Sequence, residues 1–343
     1  MRILIIGGTG NIFSTGTTRA LVQQGHEVVL YNRRHSIVEG IKQITGNRKD
    51  HDLFERQMAE EKYFDCVIDM ICFVPDDAKS IVRAFKGKTG QYIFCSTGDV
   101  YTKPAKHYPV SEDAERIPSP SILYPFTYAT NKLACERIFE EANANGDFAV
   151  TIIRPACTYN ESYPPVALFG TPMNLLRRIR LGRPVIVLGN GTHFFVCSHR
   201  DDVGKAFVVA AGNAKTFGKS YNVTGDEIIT WNEYYQIIAK AMNSPPIELV
   251  HIPTDILCRI SPKSADWLKY ISFHNLYDNS EAKRDLAYKY TISWEDGVRQ
   301  MISYQDTYGN IESCPDYPLY DKIIGRWKQL GDALAEELSV MDE

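Results

Sequence analysis

The sequence has little of what marks several common protein classes. Its 343 residues contain no CxxC spacing, no Lys/Arg cluster longer than two or three residues and no long apolar run at the N-terminus. The first absence speaks against a zinc ribbon or a disulfide framework, and the second against a surface that attracts nucleic acid. The third speaks against a secretory leader or a membrane span, so we expect a cytoplasmic protein.

The composition is that of an ordinary soluble protein. Hydrophobic residues make up 44% of the chain, charged residues make up 23%, and the formal net charge is -4. At this length the chain exceeds the usual single core but falls short of two full-sized enzymes. We expect one globular unit made of two lobes, with reduced and mostly buried cysteines and no metal site.

Apolar, β-branched segments alternate with helix-period segments through the first half of the chain. The strand candidates are "RILIIG", "EVVLYN", "DCVIDM", "QYIFCS" and "AVTIIRP". Strands without polar alternation are buried on both faces, as in a parallel sheet covered by helices. The predicted fold class is α/β: a Rossmann-type, doubly wound parallel sheet with a smaller C-terminal α/β substrate lobe.

The texture changes after these strands, where "YNESYPPVALFGTPM" is rich in Pro, Gly and aromatic residues. We therefore assign residues 1–155 to the Rossmann domain, with residues 196–228 returning to it. The substrate lobe takes residues 156–195 and 229–303. Residues 304–343 form a C-terminal helical tail, since "WKQLGDALAEEL" has the pattern of an amphipathic helix.

A glycine-rich turn follows the first strand in "IIGGTGNIF". Glycines at Gly7, Gly8 and Gly10 let the backbone turn sharply and approach a pyrophosphate, which would lie at the N-terminus of the next helix. The alternative is a purely structural turn. The position of the glycine-rich turn at the first strand-to-helix junction favours the binding of a dinucleotide, NAD or NADP, over the structural alternative.

With this turn the sequence resembles the extended short-chain dehydrogenase/reductase superfamily, the NAD(P)-dependent sugar epimerases and dehydratases. Their turn usually reads GxxGxxG, and Phe13 stands where the third glycine is expected. The resemblance covers roughly residues 1–303. It implies cofactor contacts from the turn and from the end of a later strand: Gly7, Gly10, Asn11, Ile12 and Pro155.

The end of the second strand, "EVVLYNRRHS", bears on the choice of dinucleotide. A carboxylate there favours the free 2′-hydroxyl of NAD, whereas arginine favours the 2′-phosphate of NADP. This chain has Asn32, Arg33 and Arg34. NADP is therefore favoured over NAD, unless the arginines only solvate the edge of a loop.

A Tyr-x-x-x-Lys pair lies in "YPFTYATNKLACE", where Tyr128 and Lys132 share one helical face. Such pairs also arise by chance, but this one follows the strand that ends at "STG", in the order of the superfamily. The resemblance implies that Tyr128 is the catalytic base, that Lys132 lowers its pKa and binds the nicotinamide ribose, and that Thr97 hydrogen-bonds the reacting oxygen. Tyr128 and Lys132 also count as cofactor contacts.

The segment "STGDVY" departs from the superfamily's dehydratases, which resemble Thr-Asp-Glu-Val-Tyr here. Gly98 replaces the first acid, so a standard 4,6-dehydratase is not expected. Asp99 keeps a carboxylate at the second position. It could deprotonate a carbon beside a transient ketone or bind substrate, or it could simply cap a loop amide.

The substrate lobe matches the superfamily less closely. Cys157 stands where an Asn usually contacts the sugar nucleotide, and it is either a second acid/base and substrate contact or a buried spectator thiol. Phe195 replaces an arginine that often grips the diphosphate. His193 and Arg200 could compensate as substrate contacts, or the substrate lacks a diphosphate.

The leading hypothesis is an NAD(P)-dependent oxidoreductase or epimerase that acts on a sugar or nucleotide-sugar hydroxyl through a transient ketone. The alternative is an NADPH-dependent reductase or dehydrogenase of a small carbonyl or sugar. A third, less favoured, is a non-catalytic or RNA-binding relative of the chloroplast stem-loop-binding branch. We expect a homodimer, as is common in the superfamily, with no nucleic-acid or membrane partner.

Overall fold

The structure is a computed structural model that describes residues 1–8, 15–33, 41–116, 127–162, 166–339 and 341. The chain folds into two compact units. The first, called here the sheet unit, comprises Met1–Asn160, Val196–Glu227 and Leu276–Ile292. The second, called here the helical unit, comprises Glu161–Phe195, Ile228–Asn275 and Ser293–Glu343.

The described strands are, in chain order, β1 (Arg2–Ile6), β2 (Glu27–Asn32), β3 (Lys42–Thr45), β4 (Phe64–Asp69), β5 (Thr89–Cys95), β6 (Ala149–Pro155), β7 (Thr158–Tyr159), β8 (Val185–Leu188), β9 (Phe194–Phe195), β10 (Ser198–His199), β11 (Lys219–Val223), β12 (Ile229–Thr230) and β13 (Leu249–Ile252).

The described α-helices are, in chain order, α1 (Thr15–Gln23), α2 (His51–Glu60), α3 (Pro75–Phe85), α4 (Thr127–Ala144), α5 (Pro172–Arg180), α6 (Arg200–Ala210), α7 (Trp231–Ala241), α8 (Thr254–Ile260), α9 (Ala265–Ile271), α10 (Ser280–Asp285), α11 (Trp294–Thr307) and α12 (Pro318–Ser339). Short 3₁₀ turns occupy Gly98–Val100, Ala214–Thr216 and Pro262–Ser264.

In the described part of the sheet unit, seven strands form one sheet in the order β3-β2-β1-β4-β5-β6-β11. All of its neighbouring strands pair in parallel. This confirms the predicted doubly wound, Rossmann-type sheet. The chain runs from β1 outward to β3 and then crosses back to β4, so the order reverses between β1 and β4. In such sheets ligands bind in the crevice outside the carboxyl ends of the strands at the reversal.

Apolar side chains cover both faces of this sheet, as the unbroken β-branched segments predict. The four residues from Ile3 to Ile6 are fully buried. Ile3 and Ile5 belong to the core under α1 and α6, whereas Leu4 and Ile6 belong to the core under α2, α3 and α4. Because successive side chains of a strand point to opposite faces, β1 connects the two cores.

Leu276–Ile292 packs in the sheet unit, whereas the sequence division assigned this segment to the substrate lobe. The side chain of Asn279 accepts a hydrogen bond from the amide of Thr224 at 3.1 Å and donates one to its carbonyl at 3.0 Å. Ala282 and Leu286 complete the core under α1 and α6. These contacts span more than fifty residues of chain, so local sequence patterns do not reveal them.

The helical unit contains small sheets and an aromatic core. Strand β8 pairs with β13 in parallel, and β9 pairs with β12 in antiparallel. Trp231 packs against Phe195 with ring centroids 4.4 Å apart, and Tyr234 stacks on Trp294 at 5.0 Å. None of the described helices combines the length and the apolar character that crossing a bilayer requires.

Candidate active site

The turn after β1 needs glycine because neighbouring atoms leave no room for a side chain. Gly7 has φ +85°, and a Cβ on it would lie 2.6 Å from Cγ2 of Ile71. Ile71 follows β4, so the turn lies against the neighbouring strand end at the reversal of the sheet. The Gly7 amide donates to the carbonyl of Tyr31 at 3.0 Å. The remaining predicted contacts of this turn lie outside the described residues: Gly10, Asn11 and Ile12.

The end of β2 carries a buried amide. Asn32 is 6% exposed, and its Nδ2 donor has no hydrogen-bond partner among the described residues. An unsatisfied buried donor costs about 1–3 kcal/mol, which a ligand oxygen at this point would remove. Arg33 is exposed, and Arg34 lies outside the described residues. The strand end therefore fits the adenosine ribose of a dinucleotide, which binds at this point in Rossmann sheets.

Lys132 is fixed at the carboxyl edge of the sheet. Its Nζ donates to the carbonyl of Cys72 at 2.8 Å and to that of Cys95 at 2.7 Å, and the residue is 1% exposed. Cys95 ends β5, and Cys72 follows β4. An ammonium group has three donors, so one proton remains for a ligand oxygen after these two bonds.

Tyr128 lies one helical turn before Lys132 on α4, and the ammonium is 5.9 Å from its ring centroid. Burial raises the pKa of the Tyr128 phenol, the negative charge of Asp99 raises it further, and a hydrogen bond with the Thr97 side chain lowers it. The resemblance predicts that Lys132 and a positive nicotinamide lower this pKa. In the structure, burial is the largest effect on the phenol.

The 3₁₀ turn after β5 carries the residues of "STGDVY". Thr97 caps this turn by accepting a hydrogen bond from the amide of Asp99 at 3.2 Å. Burial raises the pKa of the Cys157 thiol to about 12, the charge of Asp99 raises it too, and Lys103 lowers it. At neutral pH the thiol is therefore protonated. The sheet unit thus brings Thr97, Asp99, Tyr128 and Cys157 into one electrostatic neighbourhood.

Lys103 belongs to the same neighbourhood, and sequence reasoning missed it. The residue is 4% exposed. Burial lowers its pKa to about 8, while the nearby Asp99 and Cys157 act to raise it. Buried lysines are rare unless they are paired, and a perturbed lysine beside a carboxylate is a recognised feature of functional sites. Nothing in the local pattern of "VYTKPAK" distinguishes Lys103 from a surface lysine.

Gly98 is explained by a residue far away in the chain. A Cβ at Gly98 would lie 2.8 Å from Cζ of Tyr277, and the Tyr277 hydroxyl donates to the Gly98 carbonyl at 3.3 Å. Tyr277 is 6% exposed. Burial and the charge of Asp99 raise its pKa, so the hydroxyl remains a donor. At the place where the dehydratases of the superfamily carry an acid, this chain therefore has the phenol of Tyr277, which comes from a distant segment.

A buried ion pair holds α4 against the sheet. Glu136, one turn after Lys132, receives two hydrogen bonds from Arg154 of β6, at 2.8 and 2.9 Å. The Arg154 and Glu136 side chains are 1% and 0% exposed. Pro155 follows directly, ends β6 and is buried. The pair thereby fixes the helix on which Tyr128 and Lys132 are carried.

The remaining predicted substrate contacts belong to different units. Arg200 opens α6 in the sheet unit, with its Nε 3.6 Å from Oδ1 of Asp201. His193 lies in the helical unit, where its ring centroid is 5.5 Å from that of His274. Burial and His274 lower the pKa of His193. Phe195 is buried in the aromatic core of the helical unit.

Curated proteins of similar sequence differ in what their names describe. The chain is 26% identical to the chloroplast stem-loop binding protein of 41 kDa b from Arabidopsis thaliana, over 95% of this chain and 84% of that protein. It is 23% identical to 2-alkyl-3-oxoalkanoate reductase from Stenotrophomonas maltophilia, over 88% of this chain and 98% of that protein.

Solved structures share the fold. UDP-glucuronic acid 4-epimerase from Bacillus cereus in complex with NAD superimposes with a TM-score of 0.68 at 20% identity, covering 90% of this chain and 99% of that one. dTDP-glucose 4,6-dehydratase from Bacillus anthracis in complex with NAD gives 0.69 at 15% identity, with coverages of 90% and 97%. The model of the NAD dependent epimerase/dehydratase family matches residues 3–224. The chain therefore belongs to this family of enzymes, a divergent member of the extended short-chain dehydrogenase/reductase superfamily that uses NAD(P).

Proposed function

We propose that this enzyme oxidises a hydroxyl of a sugar or nucleotide sugar with NAD(P), acts on the transient ketone, and reduces it again in an epimerase-like cycle. One observation carries the proposal: Lys132 is held by the carbonyls of Cys72 and Cys95 at the carboxyl edge of the sheet, with Tyr128 one turn away. This edge is where a doubly wound sheet binds its dinucleotide. A phenol and an ammonium at that place suit removal of a hydroxyl proton.

Tyr128, Thr97 and Lys132 have different tasks in this cycle. Tyr128 takes the hydroxyl proton, and Thr97 holds the same oxygen by a hydrogen bond. Lys132 would donate a hydrogen bond from its third N–H to a ribose hydroxyl of the cofactor, and it brings positive charge close to the phenol. A nicotinamide bound here would supply the hydride acceptor for the carbinol carbon and the hydride donor for the return step. Its positive charge also opposes the effect of burial on the pKa of Tyr128.

Asp99 is the proposed base for the carbon next to the ketone. A proton on such a carbon is acidic because the carbonyl stabilises the anion left behind. The raised pKa of Cys157 keeps its thiol protonated, so we assign Cys157 as a proton donor rather than a base. Removal of a proton by Asp99 and its replacement by a donor on the other face would invert that carbon.

The cofactor is proposed to be NADP in preference to NAD. Asn32 occupies the place of the ribose-binding acid, and its Nδ2, which lacks a partner among the described residues, suits a phosphate or hydroxyl oxygen. Arg33 and Arg34 follow it and would add charge-assisted bonds to a 2′-phosphate.

The substrate is proposed to be of the sugar type, with His193 and Arg200 as contacts. Several similar structures contain a UDP-sugar ligand, including UDP-glucose 4-epimerase from Thermotoga maritima with UDP-glucose. In this chain Phe195 packs on Trp231 where an arginine clamp is common, which favours a substrate without a diphosphate.

A reductase is the second candidate. The similarity to 2-alkyl-3-oxoalkanoate reductase and the arginine at position 33 support it, because NADPH is the usual soluble reductant. Such an enzyme would exchange its cofactor at every turnover.

The protein is also proposed to be a cytoplasmic homodimer without a nucleic-acid partner. The net charge of -4 disfavours binding to the phosphate backbones of nucleic acids.

The test is to denature freshly purified enzyme and identify the released nucleotide by mass spectrometry, with absorbance at about 340 nm reporting its redox state before denaturation. If the purified enzyme retains NAD(P) and turns over sugars without added cofactor, the epimerase-like cycle is supported. An empty protein that binds NADPH and oxidises it with a carbonyl substrate favours the reductase.

Two tyrosine variants complete the test. Tyr128→Phe should lower kcat by about 10²–10⁴-fold while cofactor binding persists. The exposed Tyr63→Phe is the matched control, with no expected effect. Full activity in Tyr128→Phe would overturn the role of Tyr128 in both candidate functions, the epimerase and the reductase.

A further inference from the structure

Among the described residues, the last helix, α12, is buried only along its first two turns, and beyond them one exposed ion pair, from Lys328 to Glu248 at 2.6 Å, ties it to its unit. Tyr320, Ile323 and Ile324 are buried in the helical unit. The hydroxyl of Tyr320 accepts a hydrogen bond from the amide of Ile186 at 2.8 Å. From Gly325 to Ser339 every residue except the half-buried Trp327 is exposed. The second half of the helix, residues 329–339, is therefore exposed along its whole length.

The projecting part carries an apolar stripe. Leu330, Leu334 and Leu338 are 58%, 57% and 49% exposed, and we call them the leucine stripe. With Trp327 they recur every three or four residues, which places them within an arc of about 80° on a helix of 3.6 residues per turn. Three large exposed apolar side chains on one line are unusual for a monomer surface, and this spacing is typical of a helix that pairs with another helix.

Charges divide the helix into two halves of opposite sign. Lys322, Arg326 and Lys328 lie before the leucine stripe begins, and the exposed anions Asp332, Glu336 and Glu337 lie along its second half. Lys328 is paired with Glu248, and the one acid of the first half, Asp321, is paired with Arg178, so Lys322 and Arg326 carry the positive charge of that half. Two copies in parallel would bring like charges together in both halves. Two copies in antiparallel would bring the basic half of each beside the acidic half of the other.

We propose that the leucine stripe binds the same stripe of a second copy of this chain, with the two α12 helices antiparallel. If Leu330 of one copy lies opposite Leu334 of the other, Arg326 falls within one residue of the position facing Glu337. Both residues lie on the same flank of the stripe, at about -80° and -60° from its centre. This is the flank relationship that pairs charges across an antiparallel two-helix seam.

The proposed interface is small and does not depend on the proposed reaction. A contact made by one pair of short helices falls below the roughly 1,200 Å² of standard interfaces, so the dimer should dissociate on dilution. It also does not involve α4, the helix that carries Tyr128 and Lys132, because α4 and α12 belong to different units.

The test is sedimentation velocity of the full chain over a dilution series, comparing wild type with Leu330→Asp/Leu334→Asp. The wild type should pass from dimer to monomer as it is diluted, and the double variant should be monomeric at least tenfold above that midpoint. Leu181→Asp, at a 49% exposed leucine elsewhere in the helical unit, is the matched control and should behave as wild type. Circular dichroism confirms that each variant is folded.

Charge reversal then tests the antiparallel orientation. Arg326→Glu and Glu337→Arg should each weaken dimerisation several-fold, and the double reversal should restore it. A monomer at every concentration, or a dimer that survives both aspartates, overturns the proposal. Two reversals that add rather than compensate overturn the antiparallel arrangement.

Discussion

The hydroxyl of Tyr277 donates to the carbonyl of Gly98 at 3.3 Å, and the Tyr277 ring fills the space into which any side chain on Gly98 would extend. The loss of the first acid and the presence of this tyrosine are therefore one structural change. Returning an acid to position 98 by a single substitution would not recreate a dehydratase site, because Tyr277 already occupies that space.

The first prediction concerns this contact. Gly98→Ala should destabilise the protein by about 1–3 kcal/mol, because its new methyl group overlaps the Tyr277 ring. In a Tyr277→Ala background the same change should cost less than about 0.5 kcal/mol, a difference that urea unfolding of the four proteins measures. Gly325→Ala is the control: among the described residues no neighbouring atom lies within 4 Å of where its Cβ would be, so alanine should stabilise the helix. Equal costs in both backgrounds would contradict the role assigned to Tyr277.

The second prediction is a pH dependence from Lys103. Because burial lowers the pKa of Lys103 to about 8, the ammonium beside Asp99 loses its proton as the pH rises through that value. The profile of kcat/KM should therefore fall above about pH 8 in the wild type. Lys103→Arg keeps the charge and should lack this limb, whereas Lys106→Arg, at an exposed lysine, should retain it. An unchanged limb in Lys103→Arg would exclude Lys103 as its source.

Lys103 also affects stability with a defined sign. Its folded pKa of about 8 lies below the ordinary lysine value of 10.5, so between these values the unfolded chain binds more protons. The free energy of unfolding of the wild type, relative to Lys103→Met, should therefore rise with pH through this window. Thermal unfolding of both proteins at several pH values measures it. A relative stability that falls with pH would contradict the burial of the charged form.

The third prediction concerns the ion pair under α4. Glu136→Gln should destabilise the protein by about 3–5 kcal/mol, because Arg154 would be left buried without its counter-charge. Glu140→Gln, at a partly exposed carboxylate bonded to Arg116, should cost about 1 kcal/mol or less. Chemical denaturation of the two variants gives the comparison, and similar costs for both would show that the buried pair has no special weight.

The same pair predicts acid sensitivity. Burial alone would raise the pKa of Glu136, but the charge and hydrogen bonds of Arg154 lower it below the ordinary glutamate value of 4.5. Its contribution to stability is then fully present above about pH 4.5 and is lost as the pH falls through the lower folded pKa. Glu136→Gln should lose less stability than the wild type over that acidic range.

The fourth prediction concerns Asn32. Asn32→Asp should weaken NADP relative to NAD by about tenfold or more, since a carboxylate repels the 2′-phosphate and accepts a hydrogen bond from the 2′-hydroxyl. Isothermal titration with both dinucleotides gives the ratio. Asn145→Asp, at an exposed position of the same unit, adds the same charge as a control. An unchanged ratio would place the ribose elsewhere.

Sequence order was sufficient for the sheet and for one part of the site. Strands β1, β3 and β4 are each followed by a helix, and β5 is followed by a 3₁₀ turn and then α4. The carboxyl edge where Thr97, Tyr128 and Lys132 lie therefore follows from reading the chain in sequence. Lys103 and Tyr277 could not be found in this way. Tyr277 is 179 residues from Gly98, and the burial of Lys103 depends on packing that no local pattern encodes.

The bonds from Lys132 to the carbonyls of Cys72 and Cys95 have a consequence for ligand binding. The protein itself immobilises the ammonium, so the rotamer entropy of this side chain is lost during folding and not again when a ligand binds. The same bonds join the carbonyl that ends β5 to the segment that follows the adjacent strand β4. Lys132 therefore stabilises the carboxyl edge of the sheet in addition to its chemical role. Variants at Lys132 should therefore change the rigidity of this edge of the sheet, whatever effect they have on the reaction.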